Sequence, residues 1–155
     1  MRTAIALMIV LAAAAASGQT KPESWHGTWA LNLAKSTYNA SPAPKSGTSR
    51  LTPAPGGAMV LVQEQITADG TARRIETTTP VDGNDHPVES LPGVTYALTR
   101  VNDFIYVLVA KEKGVVTSTT LTVVSSDGNT RTSTTVAVNA GGRTVANIAV
   151  YDRSR

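Results

Sequence analysis

The side chains that could carry catalysis or hold a metal are few in this 155-residue sequence, and they lie far apart. There are 2 histidines, His26 and His86, and no cysteine, which excludes thiol nucleophiles, thiolate metal sites and disulfides. No serine lies in a G-x-S-x-G turn, and no histidine and acid are spaced like a catalytic triad. Asp82, Asp85 and His86 fall together, but the run Asp-Gly-Asn-Asp is typical of a turn whose carboxylates bond to their own backbone. We therefore expect no enzymatic activity, no metal site and no cofactor.

Charge argues against nucleic acid as a partner. The formal net charge is +3 and only 16% of residues are charged, with no long run of one sign. Arg73 and Arg74 form the densest basic point, but Glu76 follows closely and no basic stripe with interleaved aromatics surrounds them. The apolar share of 41% is too high for disorder, and the abundant threonine favours strands. This composition indicates one folded, strand-rich domain.

The first residues are typical of a targeting segment. Arg2 precedes the apolar run Ala4–Ala16, and small residues follow up to Gly18. This pattern predicts a secretory signal peptide over residues 1–18, cleaved after Ala16 or Gly18, and a mature domain over residues 19–155. The alternative is a buried N-terminal helix. Because the run is shorter than the roughly 20 residues of a membrane span, we expect no transmembrane segment. The predicted location is secreted or periplasmic, without a lipid anchor on cysteine.

The rest of the chain repeats one pattern, in which an extended stretch is followed by a two-residue turn signal. Such pairs tolerate the positive φ angles of tight hairpins. The turn signals are Asp69-Gly70, Asp82-Gly83, Asn102-Asp103, Lys113-Gly114, Asp127-Gly128 and Gly141-Gly142. The predicted strands are Thr28–Leu33, Thr48–Thr52, Met59–Thr67, Thr71–Thr79, Thr95–Val101, Phe104–Lys111, Val115–Ser125, Thr130–Asn139 and Arg143–Tyr151, with a short extended piece at Pro87-Val88.

Short links join only antiparallel neighbours, so this order predicts an all-β, up-and-down meander. A meander of about 8–10 long strands leaves two exposed edges unless it closes, which favours a single barrel over a two-layer sandwich. Helix is limited to one turn between Leu31 and Tyr38. The proline-rich stretches between Ser41 and Gly57 are predicted loops of the same domain.

Several short motifs occur in order along the chain. They are Gly27-Thr28-Trp29-Ala30-Leu31, Lys35-Ser36-Thr37-Tyr38, Ala68-Asp69-Gly70, Asp82-Gly83 with Pro87-Val88, Ser125 to Gly128, and Val150-Tyr151-Asp152-Arg153. Together they resemble the calycins, the lipocalin and fatty-acid-binding-protein group of ligand-holding barrels, and most closely secreted bacterial lipocalin-like proteins. The resemblance covers nearly all of residues 19–155.

The resemblance implies roles for particular residues. Gly27 would let the chain bend into the barrel base, Trp29 would plug that end, and Arg153 would stack on the Trp29 ring. In the fatty-acid-binding branch an R-x-Y pair on the last strand holds the ligand carboxylate. Here Tyr151 is present, but Ala149 stands where the arginine would be, which weakens a specific assignment to fatty acids.

The predicted function is binding of a small apolar or amphipathic molecule in the lumen. On the strand after Gly70 the less polar face points inward, which leaves Arg74 and Glu76 as a solvated pair. Tyr106 is expected to share an interior face with Phe104 and Leu108. The predicted lumen-facing residues are Ile75, Thr77, Tyr96, Tyr106 and Tyr151. The alternative is a non-enzymatic envelope module that binds a protein or a glycan through its outer surface or its proline-rich loop.

Overall fold

The computed structural model describes residues 24–139 and 141–154. The predicted signal peptide and its cleavage sites lie outside these residues. The described chain is almost entirely strand, with two single 3₁₀ turns at Leu33–Lys35 and Pro55–Gly57. None of its helical segments is long and apolar enough to cross a membrane. The strands are β1 (Gly27–Leu31), β2 (Thr37–Tyr38), β3 (Ser46–Ala54), β4 (Ala58–Ile66), β5 (Ala72–Pro80), β6 (His86–Pro87), β7 (Val94–Asn102), β8 (Ile105–Glu112), β9 (Val115–Val124), β10 (Thr130–Val138) and β11 (Thr144–Arg153).

These strands form one antiparallel sheet that curls into a nearly closed barrel. Their order is β5-β4-β3-β1-β11-β10-β9-β8-β7-β6, and β2 pairs with β11 outside this path. The short strand β1 joins the two halves of the meander, because Trp29 lies opposite Ser49 on β3 and opposite Arg153 on β11. β5 and β7 then face each other across a seam. The predicted up-and-down barrel is therefore confirmed.

Five of the six predicted turn signals lie in hairpins between paired strands. The sixth, Asp82-Gly83, leads from β5 to β6, which are not neighbours in the sheet. Gly70, Gly128 and Gly142 have φ angles of 95°, 72° and 73°, a region that side chains other than glycine's rarely adopt. Two of these turns are also held by aspartates: Asp69 Oδ1 accepts the Thr71 amide at 2.9 Å, and Asp127 Oδ1 accepts the Asn129 amide at 3.0 Å. Local turn chemistry thus sets the strand register.

One expectation about the proline-rich region needs correction, and one short strand outside it was missed. Residues 52–54 are not loop: β3 runs to Ala54, and Pro53 lies opposite Met59 on β4. Proline is tolerated there because β1 pairs with β3 only as far as Leu51, so beyond it one edge of β3 has no neighbour that needs an N–H donor. The strand β2, which pairs with β11, was not predicted either.

Phe104 also differs from its predicted place in the interior. Its side chain is 39% exposed, because the residue belongs to the β7–β8 turn and precedes the first residue of β8. Tyr106, two residues later, is buried. By contrast, Arg74 and Glu76 form the predicted surface pair, with an Nη2–Oε2 distance of 2.6 Å.

The hydrophobic core fills one end of the barrel, which we call the base. Trp25, Trp29 and Leu98 are completely buried there, and the Trp25 ring lies 4.7 Å from the Tyr106 ring. The Trp29 indole N–H donates to the Trp25 carbonyl at 3.1 Å. Further core residues are Leu51, Met59, Val124 and Tyr151. The base is therefore closed by packed side chains.

Arg153 connects the base to the segment before β1 and to the β9–β10 turn. Its guanidinium carbon lies 4.1 Å from the centre of the Trp29 ring, and its N–H groups donate to the backbone carbonyls of Ser24, His26 and Gly128. Gly27 has a φ of 128°, and a Cβ at this position would overlap Arg153 Nη1. The backbone bend at Gly27 and the position of Arg153 thus depend on each other.

Candidate functional site

A cavity of about 620 Å³ occupies the barrel between this base and the opposite end. Its lower wall is apolar and includes Leu31, Leu61, Leu98 and Leu108. Its upper rim is formed by the loop before β3 and by the β4–β5 turn. The volume lies in the range of roughly 300–1,000 Å³ that is typical of small-molecule sites. The barrel therefore has room for a ligand of moderate size.

The rim loop before β3 is held in place by one side chain of the lumen. Asn147 Oδ1 accepts the backbone N–H groups of Asn39 and Ala40, at 2.8 and 2.9 Å. The preceding residue, Tyr38, pairs with Asn147 in the β2–β11 ladder. Pro42 and Pro44 follow and restrict the backbone over the opening. A short loop, held by these two hydrogen bonds to Asn147, therefore borders the entrance to the cavity.

Arg131 is the charged group of the lower cavity. Its side chain lines the lumen, yet the residue is only 3% exposed. The guanidinium carbon lies 4.4 Å from the Tyr151 ring centre and 5.2 Å from that of Trp29. Among the described residues, no group accepts a hydrogen bond from its Nε or Nη1. A buried cation with unused donors is costly, and a carboxylate is the usual group that offsets this cost.

Tyr151, opposite Arg131, and Tyr38, close to Tyr151, supply neutral hydroxyls to the cavity. Burial raises the pKa of Tyr151, and the nearby positive charge of Arg131 opposes that shift. Burial, with a smaller effect of Tyr151, raises the pKa of Tyr38 to about 12. Both phenols therefore remain protonated across the physiological range and keep an O–H donor. Together with Arg131 they form a donor-rich patch facing the cavity.

Uncharged polar side chains line the middle and upper cavity. They come from β3, β4, β9, β10 and β11, and we call them the polar band. Its members are Ser49, Gln63, Gln65, Thr120, Ser133, Thr135 and Asn147. Along the row Asn147–Thr135–Thr120–Leu108–Leu98 the ladder changes from polar to apolar between β9 and β8. The lumen thus combines a polar sector with an apolar one.

The structure brings some of the sequence-predicted lumen residues together and separates others. Tyr106 and Tyr151 line the cavity. Ile75 and Thr77 lie on the inner face of β5, opposite Gln63 and Leu61, but the seam side of this strand borders a second cleft, which Thr77 lines. Tyr96 is half-buried on β7, opposite His86 at the same seam. A binding role for these residues stays a prediction.

The acidic turn after β5 brings no ligand set together. His86 Nε2 lies 2.9 Å from Asp82 Oδ1, whereas Asp85 pairs with Lys111 at 2.7 Å on another side. The Asn84 amide also donates to Asp82, which, with His86, lowers the pKa of that carboxyl to about 2. Each acid therefore already has a structural partner.

Sequence reasoning missed Arg131, Tyr38 and the polar band. Arg131 lies in the run Thr-Arg-Thr-Ser-Thr-Thr, where a lone charge reads as a solvent-facing residue. One sequence feature pointed to a missing cation: Tyr151 belongs to an R-x-Y pattern whose arginine is absent. The β10–β11 register places Arg131 directly opposite Tyr151, so the guanidinium comes from the neighbouring strand.

Comparison with solved structures agrees with this architecture. The chain is similar to the fluorescent protein UnaG, with a TM-score of 0.59 and 18% identity over 86% of this chain and 100% of that chain. It is similar also to a Schistosoma mansoni fatty acid binding protein in complex with arachidonic acid, with a TM-score of 0.56 and 16% identity over 86% and 98% of the two chains. The protein has a calycin-like barrel fold. A third such barrel is a zebrafish ileal bile acid-binding protein complexed with cholic acid, with a TM-score of 0.53 and 10% identity over 84% and 99%.

The likeness lies in the calycin-like barrel and does not extend to close sequence similarity. No family model matches the sequence, and a search of curated proteins finds no significant match. The similar barrels are nevertheless covered over almost their whole length, so the correspondence extends over the whole barrel fold. These neighbours are described as binding proteins or as a fluorescent protein.

Proposed function

We propose that this protein binds a small amphipathic anion in its lumen, with the acidic group of the ligand on Arg131 and its apolar part against the leucines of the lower wall. The proposal rests mainly on the buried guanidinium of Arg131, whose Nε and Nη1 have no acceptor among the described residues. The Arg131 side chain also lines the cavity of about 620 Å³. A ligand carboxylate would accept these donors. Tyr151, opposite Arg131, would add a neutral hydrogen bond.

Two of the similar barrels support this proposal. One is in complex with arachidonic acid and one with cholic acid, both of which are carboxylic acids with a large apolar part. The positions that hold the acid need not be shared for the same chemistry to arise.

We also propose that the protein acts as a non-enzymatic carrier of the secreted bacterial lipocalin-like kind, exported by the signal peptide of residues 1–18. Mass spectrometry of the mature N-terminus after expression with residues 1–18 tests the export step.

A pair of neighbouring substitutions on β11 tests binding in the lumen. Ala149 faces the cavity, whereas Ile148 faces the outside and is 39% exposed. We expect Ala149→Phe to fill the space beside Tyr151 and to abolish the binding of dodecanoate measured by calorimetry. Ile148→Phe adds a ring on the outer side of the same strand and serves as the matched control. Equal dodecanoate affinity in both variants, with both folded by circular dichroism, would contradict a lumenal site.

A further inference from the structure

The polar band differs from what a plain hydrocarbon chain requires. Seven uncharged polar side chains contribute to it, and they lie above the apolar lower wall on β3, β4, β9, β10 and β11 but not on β7 or β8. Resting on the proposed function, we propose that the body of the ligand carries hydroxyl or carbonyl oxygens along one side, in addition to its acidic group. The preferred ligand is thus an oxygenated amphipathic acid with one polar and one apolar face.

The two faces of the ligand follow from the arrangement of the wall. Asn147, Thr135 and Thr120 lie side by side on three adjacent strands, and the same row continues into Leu108 and Leu98. One row therefore presents hydrogen-bonding groups over one sector and methyl groups over the next. A ligand with polar groups all round, or with none, would leave one sector mismatched.

The threonine and serine hydroxyls of the band keep unused hydrogen-bonding capacity. Thr120 and Thr135 bond to each other at 2.8 Å, and Thr122 and Ser133 do so at 3.0 Å. In each pair one hydroxyl donates and the other accepts, so one O–H donor and several lone pairs remain. A ligand hydroxyl or carbonyl can use them, whereas a methylene group cannot.

The glutamines of β4 extend this capacity at the other end of the polar sector, which runs from β9 to β4. Gln63 and Gln65 line the cavity, and within the described residues their side-chain amides have no hydrogen-bond partner. Water can satisfy them while the cavity is unoccupied. A hydrocarbon that displaced this water would leave four donor or acceptor groups unpaired, which opposes its binding. Oxygen atoms on the ligand would replace the lost water contacts.

Two acids that differ only in oxygen content test this inference. Cholate and 5β-cholanate share a ring skeleton and a carboxylate, but only cholate carries ring hydroxyls. We expect the wild-type protein to bind cholate at least tenfold more tightly than 5β-cholanate, measured by displacement of a fluorescent naphthalenesulfonate below the micelle concentration. In Thr120→Val/Thr135→Val, which keeps the shape of both side chains, this ratio should fall at least fivefold. Thr119→Val/Thr134→Val changes the outward-facing neighbours on the same strands and should leave the ratio unchanged.

The outcomes separate this inference from the proposed function. If cholate and 5β-cholanate bind equally, and Ala149→Phe blocks both, the lumen binds anions but the polar band does not select oxygen, which overturns the inference alone. A ratio that falls equally in both double variants also overturns it. If neither acid, nor dodecanoate, binds at millimolar concentration, both proposals fail. A tenfold preference that only the inner double variant removes supports the inference.

Discussion

Replacement of Arg131 by methionine separates binding from stability. The side chain is buried and lines the cavity, and its unused donors point to an anionic partner. Methionine keeps much of the unbranched shape of the arginine stem but removes the charge and all donors. We expect Arg131→Met to weaken the binding of dodecanoate strongly and to affect the binding of dodecan-1-ol little, because only the carboxylate uses the guanidinium.

The size of this effect follows from the contact that is lost. A hydrogen bond to a charged group contributes about 1.5–3 kcal/mol, which corresponds to roughly a 10- to 150-fold change in Kd. The stability of the free protein should change much less. Removal of the two ring contacts, to Tyr151 and Trp29, costs about 0.5–2 kcal/mol each. Removal of a buried, incompletely paired charge returns about 1–3 kcal/mol. We therefore expect a net change between a gain of about 2 kcal/mol and a loss of about 3 kcal/mol.

Calorimetric titration with both ligands, and urea unfolding without ligand, measure the two quantities. Arg131→Lys keeps the charge but loses the planar fork, so its affinity for dodecanoate should be intermediate. Arg50→Met is the matched control, because Arg50 is exposed on the outer face of β3. A folded Arg131→Met protein that binds dodecanoate as tightly as the wild type would refute the reasoning. So would a loss of more than about 4 kcal/mol in stability with unchanged affinity, which would make Arg131 a purely structural residue.

Two further predictions concern the base and the turns. Gly27→Ala should lower the free energy of unfolding, measured in urea, by about 2–4 kcal/mol, because it combines an unfavourable φ of 128° with displacement of Arg153. Gly56→Ala is the control: its φ is 72° and open space surrounds it, so it should cost only about 1 kcal/mol. Equal losses in the two variants would contradict the overlap between a Cβ at position 27 and Arg153. Hydrogen bonds from Asn84 to Asp82, and from Ser125 to Asp127, lower both carboxyl pKa values to about 2, so the stability they provide is complete above about pH 4 and is lost as the pH falls towards 2. The thermal midpoint should therefore fall over this window, and a smaller fall in Asp127→Asn checks the assignment.

Most of the fold could be predicted because it is fixed by local chemistry. The turn at Asp127-Gly128 needs a positive φ and a short acidic side chain, and both are visible in the sequence. A short turn also requires that the two strands it joins are antiparallel neighbours. The pairing of strand β1 could not be predicted, because its partners are β3 and β11 and no local sequence pattern selects them. The sequence pattern predicted a strand at Thr28–Leu33 but not the strands with which it pairs.

The candidate site could be predicted only in part. Tyr106 was predicted from the alternation of its strand and Tyr151 from the resemblance; both line the cavity, and a binding role for them stays a prediction. Arg131 was not found, since its partner Tyr151 lies 20 positions away and meets it only through the β10–β11 register. The pinned entrance loop was missed for the same reason: Asn147 and Asn39 are joined across 108 positions. Such contacts depend on pairing between strands and not on a sequence pattern.

The strands β9 and β10 show that folding alone does not set the lining of the lumen. On β9 the inward residues are Thr120 and Thr122, while Leu121 is 43% exposed on the outside, and on β10 Val136 is likewise 43% exposed. A register shifted by one residue would turn Leu121 and Val136 inward, although it would also turn the core residue Val124 outward. The observed register instead places Arg131 and the hydroxyls around the cavity. This arrangement is expected if these strands supply the contacts of a polar, anionic ligand and the base supplies most of the stability.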